Sequence, residues 1–217
     1  MLHLYALAEH PAQLPAIDGT TLHAVPVTEA LDAVVGNVAE ATPSPTREAI
    51  IGHAQVVEAV AGTSDAVLPA RFGRPLRDEA ELTSVVRERE AELHAALDRV
   101  RGCIEVGVRV LCGGGRTGNE GGTGREYLLG RLESVRTAEG VARAIEDAVG
   151  EKARERDVRV VAKDDVLVTA AFLVPRSELD SVRASVEELA GGHPALTFVV
   201  TGPWPPYSFV TVGGAGA

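Results

Sequence analysis

From Cys103 to Thr201 the residue pattern changes period in a fixed order, and that order limits the fold more than any other feature of the chain. Cys103 to Cys112 alternates, with Val106, Val108 and Val110 on one side of a strand. A glycine-rich stretch follows, and then Leu128, Leu129, Leu132, Val135, Val141, Ala142, Ile145 and Val149 recur at helical spacing. Val158 to Ala162 and Val166 to Val174 read as strands joined by Lys163-Asp164-Asp165, short enough for a hairpin. A helix from Ser177 sets Leu179, Val182, Val186 and Leu189 on one stripe and stops at Gly191-Gly192, ahead of a last strand, Leu196 to Thr201. The order is βαββαβ, the split βαβ of the ferredoxin-like class, here with a Gly-rich loop inserted after the first strand.

The preceding residues are of mixed type. His3 to Ala8, Leu22 to Val27 and Ala33 to Val38 read as strands. Thr46 is placed to cap a helix carrying Ile50, Ile51, Val57 and Val60 toward a core. Ala66 to Phe72 reads as a fourth strand, and a long helix from Asp78 keeps Leu82, Val85, Val86, Leu93, Ala96, Leu97 and Val100 in register until Gly102. The expected fold is therefore α+β in two domains: 1–101, and a ferredoxin-like 102–217 ending in a Pro/aromatic tail.

Charge narrows the partners. With 21 Lys and Arg against 31 Asp and Glu, the net charge of −10 repels polyanions, so no nucleic acid is expected. Before Arg47 there is no Lys or Arg, which leaves no charged start for a signal peptide and suggests a cytoplasmic chain. After Glu188 no Asp, Glu, Lys or Arg occurs, yet Pro194, Pro203, Pro205 and Pro206 break that run, so no membrane span is expected there. The two cysteines, Cys103 and Cys112, are too few for a disulfide scaffold or a zinc site and read as thiols.

Little in the chain invites chemistry. Gly113 to Gly118 matches G-x-G-x-x-G after a strand, but Asn119 to Gly124 intervenes before a helix can present its N-terminus to a phosphate. The stretch 113–124 has linker composition, and a nucleotide-binding enzyme built on it is the alternative reading. The six histidines are scattered, with His53 and His94 on helices as partly exposed or internally hydrogen-bonded rings. Nothing supports a covalent nucleophile, so neither cofactor nor metal is expected.

Two stretches are more particular. Leu68-Pro69-Ala70-Arg71-Phe72-Gly73 puts Arg71 among apolar neighbours in an expected strand, where a charge must be exposed, paired or hydrogen-bonded; Glu105 is a candidate partner. On the paired reading, losing Arg71 costs several times what a surface arginine costs. In Thr201 to Val210 the prolines hold the backbone extended. That segment either caps the chain's own core with Trp204 and Tyr207 or presents them to a protein partner, as binding hot spots do.

Gly202-Pro-Trp-Pro-Pro-Tyr-Ser-Phe209, Leu68-Pro-Ala-Arg-Phe-Gly73, Glu105-Val-Gly-Val-Arg109 and Gly124-Arg-Glu-Tyr-Leu128 resemble the motifs of the gas vesicle protein family GvpF/GvpL, over essentially the whole chain. Ala70 and Arg74 depart from the family's pattern, and the Gly-rich loop is longer. The resemblance implies a nonenzymatic accessory or minor structural protein of gas vesicle formation, located at the gas vesicle in the cytoplasm. Its implied partners are the hydrophobic main shell protein and other accessory gas vesicle proteins. The motif residues that carry the resemblance, and with it the expected interaction sites, are Arg71, Phe72, Gly73, Glu105, Tyr127, Trp204, Pro205, Pro206, Tyr207 and Phe209.

Overall fold

The computed structural model describes residues 1–210 apart from 12–13, 17–20, 39–43, 74, 113–123 and 164, and describes Glu126 and Tyr127 by backbone alone. The described residues form an α+β chain with two antiparallel sheets and five α-helices. They divide into two compact units, Met1–Cys103 with the described part of Pro205–Ala217, and Ile104–Trp204.

In the first unit β1 (Leu2–Ala8), β2 (Leu22–Pro26), β3 (Asp32–Asn37) and β4 (Val67–Pro69) make a sheet in the order β2-β3-β1-β4, with β5 (Pro75–Leu76) also pairing to β1. β1 lies inside the sheet, and all of its residues but one are buried, so it reads as a near-continuous apolar run rather than an alternation. Helix α1 (Arg47–Thr63) starts where expected: Thr46 Oγ1 accepts from the Ala49 N–H at 3.2 Å. Its Val56, Val57 and Val60 pack with Tyr5, Ala6, Ala8, Val34 and Val67. Asp78 caps α2 (Glu79–Arg87) by accepting from Glu81 N–H at 2.9 Å, and α3 (Glu90–Val100) follows.

In the second unit β6 (Cys103–Cys112), α4 (Gly124–Val149), β7 (Glu155–Lys163), β8 (Val166–Pro175), α5 (Leu179–Gly191) and β9 (Leu196–Trp204) follow in chain order, and the sheet runs β7-β8-β6-β9. One face is the core. Val106, Val108 and Val110 of β6 and Val168, Ala170, Phe172 and Val174 of β8 meet Val141, Ile145 and Val149 of α4 and Val182 and Val186 of α5. The alternation expected for β6 is visible as buried valines with half-exposed Glu105 and Gly107 between them.

Several expectations need correction. The strand expected over Ala66–Phe72 stops at Pro69, because past Ala70 the chain turns at Gly73, whose φ of +86° is a left-handed value that strands do not contain. The single helix from Asp78 is two helices broken at Glu88-Arg89, where Arg89 has φ −125° and ψ 17° and neither side chain is buried to hold the turn to the core. Ile50 and Ile51 do not reach a core; both are 45% exposed, since the buried stripe of α1 is His53, Val56, Val57 and Val60 and the two isoleucines fall on its flank and far side. Among the described side chains of α4, burial begins at Ala138, and Leu128, Leu129 and Leu132 are exposed. The short β5 and the continuation of β9 beyond Thr201 were not expected at all.

Candidate functional site

The C-terminal motif begins inside a strand. β9 is an edge strand, and an edge tolerates a proline whose missing N–H needs no partner. The ladder pairs Gly107 with Thr201 and resumes at Glu105 opposite Trp204, so Gly202 and Pro203 together oppose Val106 as a bulge. Gly202 takes φ +105°, and a Cβ there would lie 2.7 Å from the Glu105 carbonyl oxygen. Both facts require glycine. From α5, Arg183 Nη2 donates to the Gly202 carbonyl at 3.0 Å, fixing the bulge from the helix side. The result is a rigid strand end on which Trp204 keeps 42% of its surface in solvent.

Past this point the chain belongs to the first unit. Tyr207 N–H donates to Pro205 O at 2.7 Å and Phe209 N–H to Pro206 O at 3.1 Å, a tight turn whose Pro205, Pro206 and Phe209 are buried. Arg99 of α3 donates to the Phe209 carbonyl. Tyr207 is 40% exposed as a residue, yet burial of its phenol, with the Glu58 carboxylate second, pushes its pKa up to about 12. The turn is thus anchored by Phe209 and offers only part of the Tyr207 ring to solvent.

The other motif, Leu68 to Gly73, is held by groups the sequence reading left unassigned. A carbonyl can only accept, so His53 Nε2, 2.9 Å from Ala70 O, carries the proton. In the neutral ring His53 Nδ1 must then accept, and His3 Nε2–H donates to it at 2.8 Å. Tyr5 and Phe72 enclose the pair, with Phe72 centred 5.5 Å from His3 and 5.7 Å from His53, and Tyr5 at 4.7 Å and 5.2 Å. Burial, then the neighbouring His53, lowers the His3 pKa to about 4, and burial lowers that of His53. His53 is therefore internally hydrogen-bonded and buried. The signal was there: it lies three and four residues ahead of Val56 and Val57, on the stripe that faces the core.

Arg71 sits in the turn, exposed, and not in a strand among apolar side chains. The expectation that it needs a partner fails for that reason, because an exposed guanidinium keeps its water. Arg71→Ala is now expected to change stability by less than about 0.5 kcal/mol, the range of an ordinary surface substitution, in a urea titration against the parent chain. Glu105 is half-exposed on β6 opposite Trp204, and Tyr127 lies on α4 with only its backbone described. The glycine-rich stretch from Gly113 lies outside the described residues as far as residue 123, and Gly124 opens α4. Among the described residues no three His, Cys, Asp or Glu side chains gather as a metal site, and no helix is long and apolar enough to cross a membrane.

Comparison with known proteins gives a consistent result. The sequence model of a family described as gas vesicle synthesis protein GvpL/GvpF matches residues 1–211. Gas vesicle protein F2 of Halobacterium salinarum is 30% identical over 184 residues, covering 84% of this chain and 77% of that protein. Gas vesicle protein F of a Streptomyces species is 29% identical over 206 residues, covering 85% and 86% of the two chains. Among solved structures, GvpF of Anabaena sp. PCC7120 superposes with a TM-score of 0.84 at 19% identity, over 98% of this chain and 97% of its own. GvpF of Microcystis aeruginosa gives 0.79 at 18% identity, over 96% and 98%. At those identities the two structures speak to the fold.

Proposed function

This chain belongs to the gas vesicle synthesis protein GvpL/GvpF family, and from that membership we propose that it is a nonenzymatic accessory or minor structural protein that binds the hydrophobic main shell protein during vesicle assembly. Participation in gas vesicle formation comes with the family. The observation that carries the finer reading is Trp204: a large aromatic, 42% exposed, on a backbone held by a bulge, a ladder and Arg183. An aromatic that is rigid before binding loses little entropy when covered, which is how interface anchors earn their affinity. The net charge of −10 supports the same role, since a strongly charged chain covering an apolar subunit keeps it from aggregating.

The sheet order β7-β8-β6-β9 with α4 and α5 on one face supports reading the second domain as ferredoxin-like, with its Gly-rich insertion after β6. In this reading the domains are 1–101 and 102–217, and the other motif residues, Arg71, Phe72, Gly73, Glu105, Tyr127, Pro205, Pro206, Tyr207 and Phe209, shape or present contact surface. The site of action is the gas vesicle in the cytoplasm, and other accessory gas vesicle proteins are further partners.

Trp204→Ala tests the proposal. Capture of coexpressed shell protein is expected to fall by about tenfold or more, the loss that follows from an interface aromatic worth about 1.4 kcal/mol or more. The unfolding midpoint should move less than for a core aromatic, because 42% of the residue is already in solvent. Unchanged capture by a stable variant removes Trp204 from the interface. Unfolding as the first effect would instead make the tail a cap on the chain's own core.

A further inference from the structure

We propose that His3 and His53 form a proton-sensitive latch that holds the turn Ala70–Gly73 in shape and so positions Arg71 and Phe72. The role of that turn as partner surface rests on the function proposed above; the latch does not. Three fixed points make it. The Ala70 N–H donates to Tyr5 O at 2.8 Å, its carbonyl receives the His53 Nε2–H at 2.9 Å, and Phe72 closes over both imidazoles. Thus the sole tie from α1 to this turn that passes through a side-chain hydrogen bond among the described residues is an imidazole, and a second imidazole fixes its tautomer.

The chain of donors has one direction and one open end. It runs from His3 Nε2–H to His53 Nδ1 and from His53 Nε2–H to Ala70 O, which leaves His3 Nδ1 as a buried acceptor with no hydrogen-bond partner among the described residues. A proton added at His3 Nδ1 creates a charged donor facing nothing. A proton added at His53 Nδ1 opposes the His3 Nε2–H, and if His3 changes tautomer to relieve this, its own N–H moves to Nδ1. Either way the surplus N–H ends at the same unpartnered position, in a site where an uncompensated charge is costly.

Among the described residues no neighbour offsets that charge. From β1 the titratable group beside the pair is Tyr5, whose pKa burial raises, so it stays a neutral phenol. The β3 and β5 residues opposite His3 are Gly36 and Pro75. From the turn itself come Phe72 and the exposed cation Arg71, and α1 contributes His53. Protonation is therefore resolved by opening. The sign follows: the closed turn holds its protons less tightly than the open one, so closure is fully favoured above pH 6.5, the ordinary histidine value, and is lost as the pH falls toward about 4.

Hydrogen exchange on the full chain, corrected for intrinsic rates, reads the latch without any partner. Protection of the Ala70 N–H, which donates to Tyr5 O, is expected to fall roughly tenfold per pH unit between 6.5 and about 4, while α5 in the other unit keeps its protection. The double variant His3→Gln with His53→Gln keeps an amide donor to Ala70 O and an internal donor–acceptor link but cannot be protonated in this range, so its turn should stay protected at acid pH. Equal protection of the parent turn at both ends of the range overturns the proposal, as does the same acid loss in the double variant. Should that variant not fold, nitrogen NMR of the parent imidazoles decides: both rings neutral with the proton on Nε2 at pH 6 supports the latch, and any other tautomer or a protonated ring overturns it. Failure of shell-protein capture with the latch behaving as described would remove the function proposed above and leave the latch standing.

Discussion

Gly202→Ala is expected to destabilise the Ile104–Trp204 unit by about 3 kcal/mol or more, the sum of a left-handed backbone forced on an L side chain and a contact nothing flexible can relieve. The new Cβ would stand 2.7 Å from the Glu105 carbonyl oxygen, which is backbone and is locked in the β6–β9 ladder. Trp204 is the chain's only tryptophan, so its fluorescence during urea unfolding reports on the unit in question. Gly140→Ala is the matching control. It sits exposed in α4 with nothing within 4 Å of its Cβ position, so there alanine should stabilise by about 0.5–1 kcal/mol. A Gly202→Ala chain that unfolds within about 0.5 kcal/mol of the parent would mean the bulge does not exist as described.

Phe172→Ala should cost about 3–5 kcal/mol, the range for deleting a fully buried ring where surrounding side chains relax only in part. Phe172 is 0% exposed, the largest of the fully buried side chains, and its cluster draws on every element of the second unit's core. The comparison is Val161→Ala on β7, where 40% of the residue is already in water and the loss should stay below about 1 kcal/mol. If the alanine variant does not fold, Phe172→Leu keeps most of the volume and should lose about 1–1.5 kcal/mol. Equal losses at Phe172 and Val161 would contradict the assignment of the inner face.

What could be read in the residues depended on whether the signal was local. The elements of the second unit carry their own period or their own stop, and so β6 was expected with its observed ends while α4, β7, β8 and α5 were expected within a few residues. β9 was expected to end at Thr201 because glycine and proline argue against a strand. The strand continues because it is an edge and because a bulge absorbs two residues against one, facts of sheet order that no local pattern contains. Ile50 and Ile51 show the reverse error: apolar residues on a helix are expected toward the core, although spacing alone does not say how far the covering sheet extends. The His3–His53 hydrogen bond joins residues fifty apart in the chain. Its participants were visible only as an odd residue in a strand and another on a helix stripe, and their meeting required the fold.

For the candidate site, the motif residues were legible and their surroundings were not. Arg71 looked like a strand charge in need of a partner and proves to be an exposed turn residue, because Gly73 ends the extended backbone. Trp204 and Tyr207 looked alike, but one stands on a strand end tied to α5 and the other has its phenol buried near Glu58. That contrast is why Trp204 carries the functional proposal.

The most direct measurement is coexpression of the full chain with the main gas vesicle shell protein, followed by purification of this chain and assay of the soluble fraction. The account predicts that the shell protein copurifies and remains soluble in its presence. A folded chain that retains no shell protein, with the shell protein equally insoluble whether or not the chain is present, would contradict it.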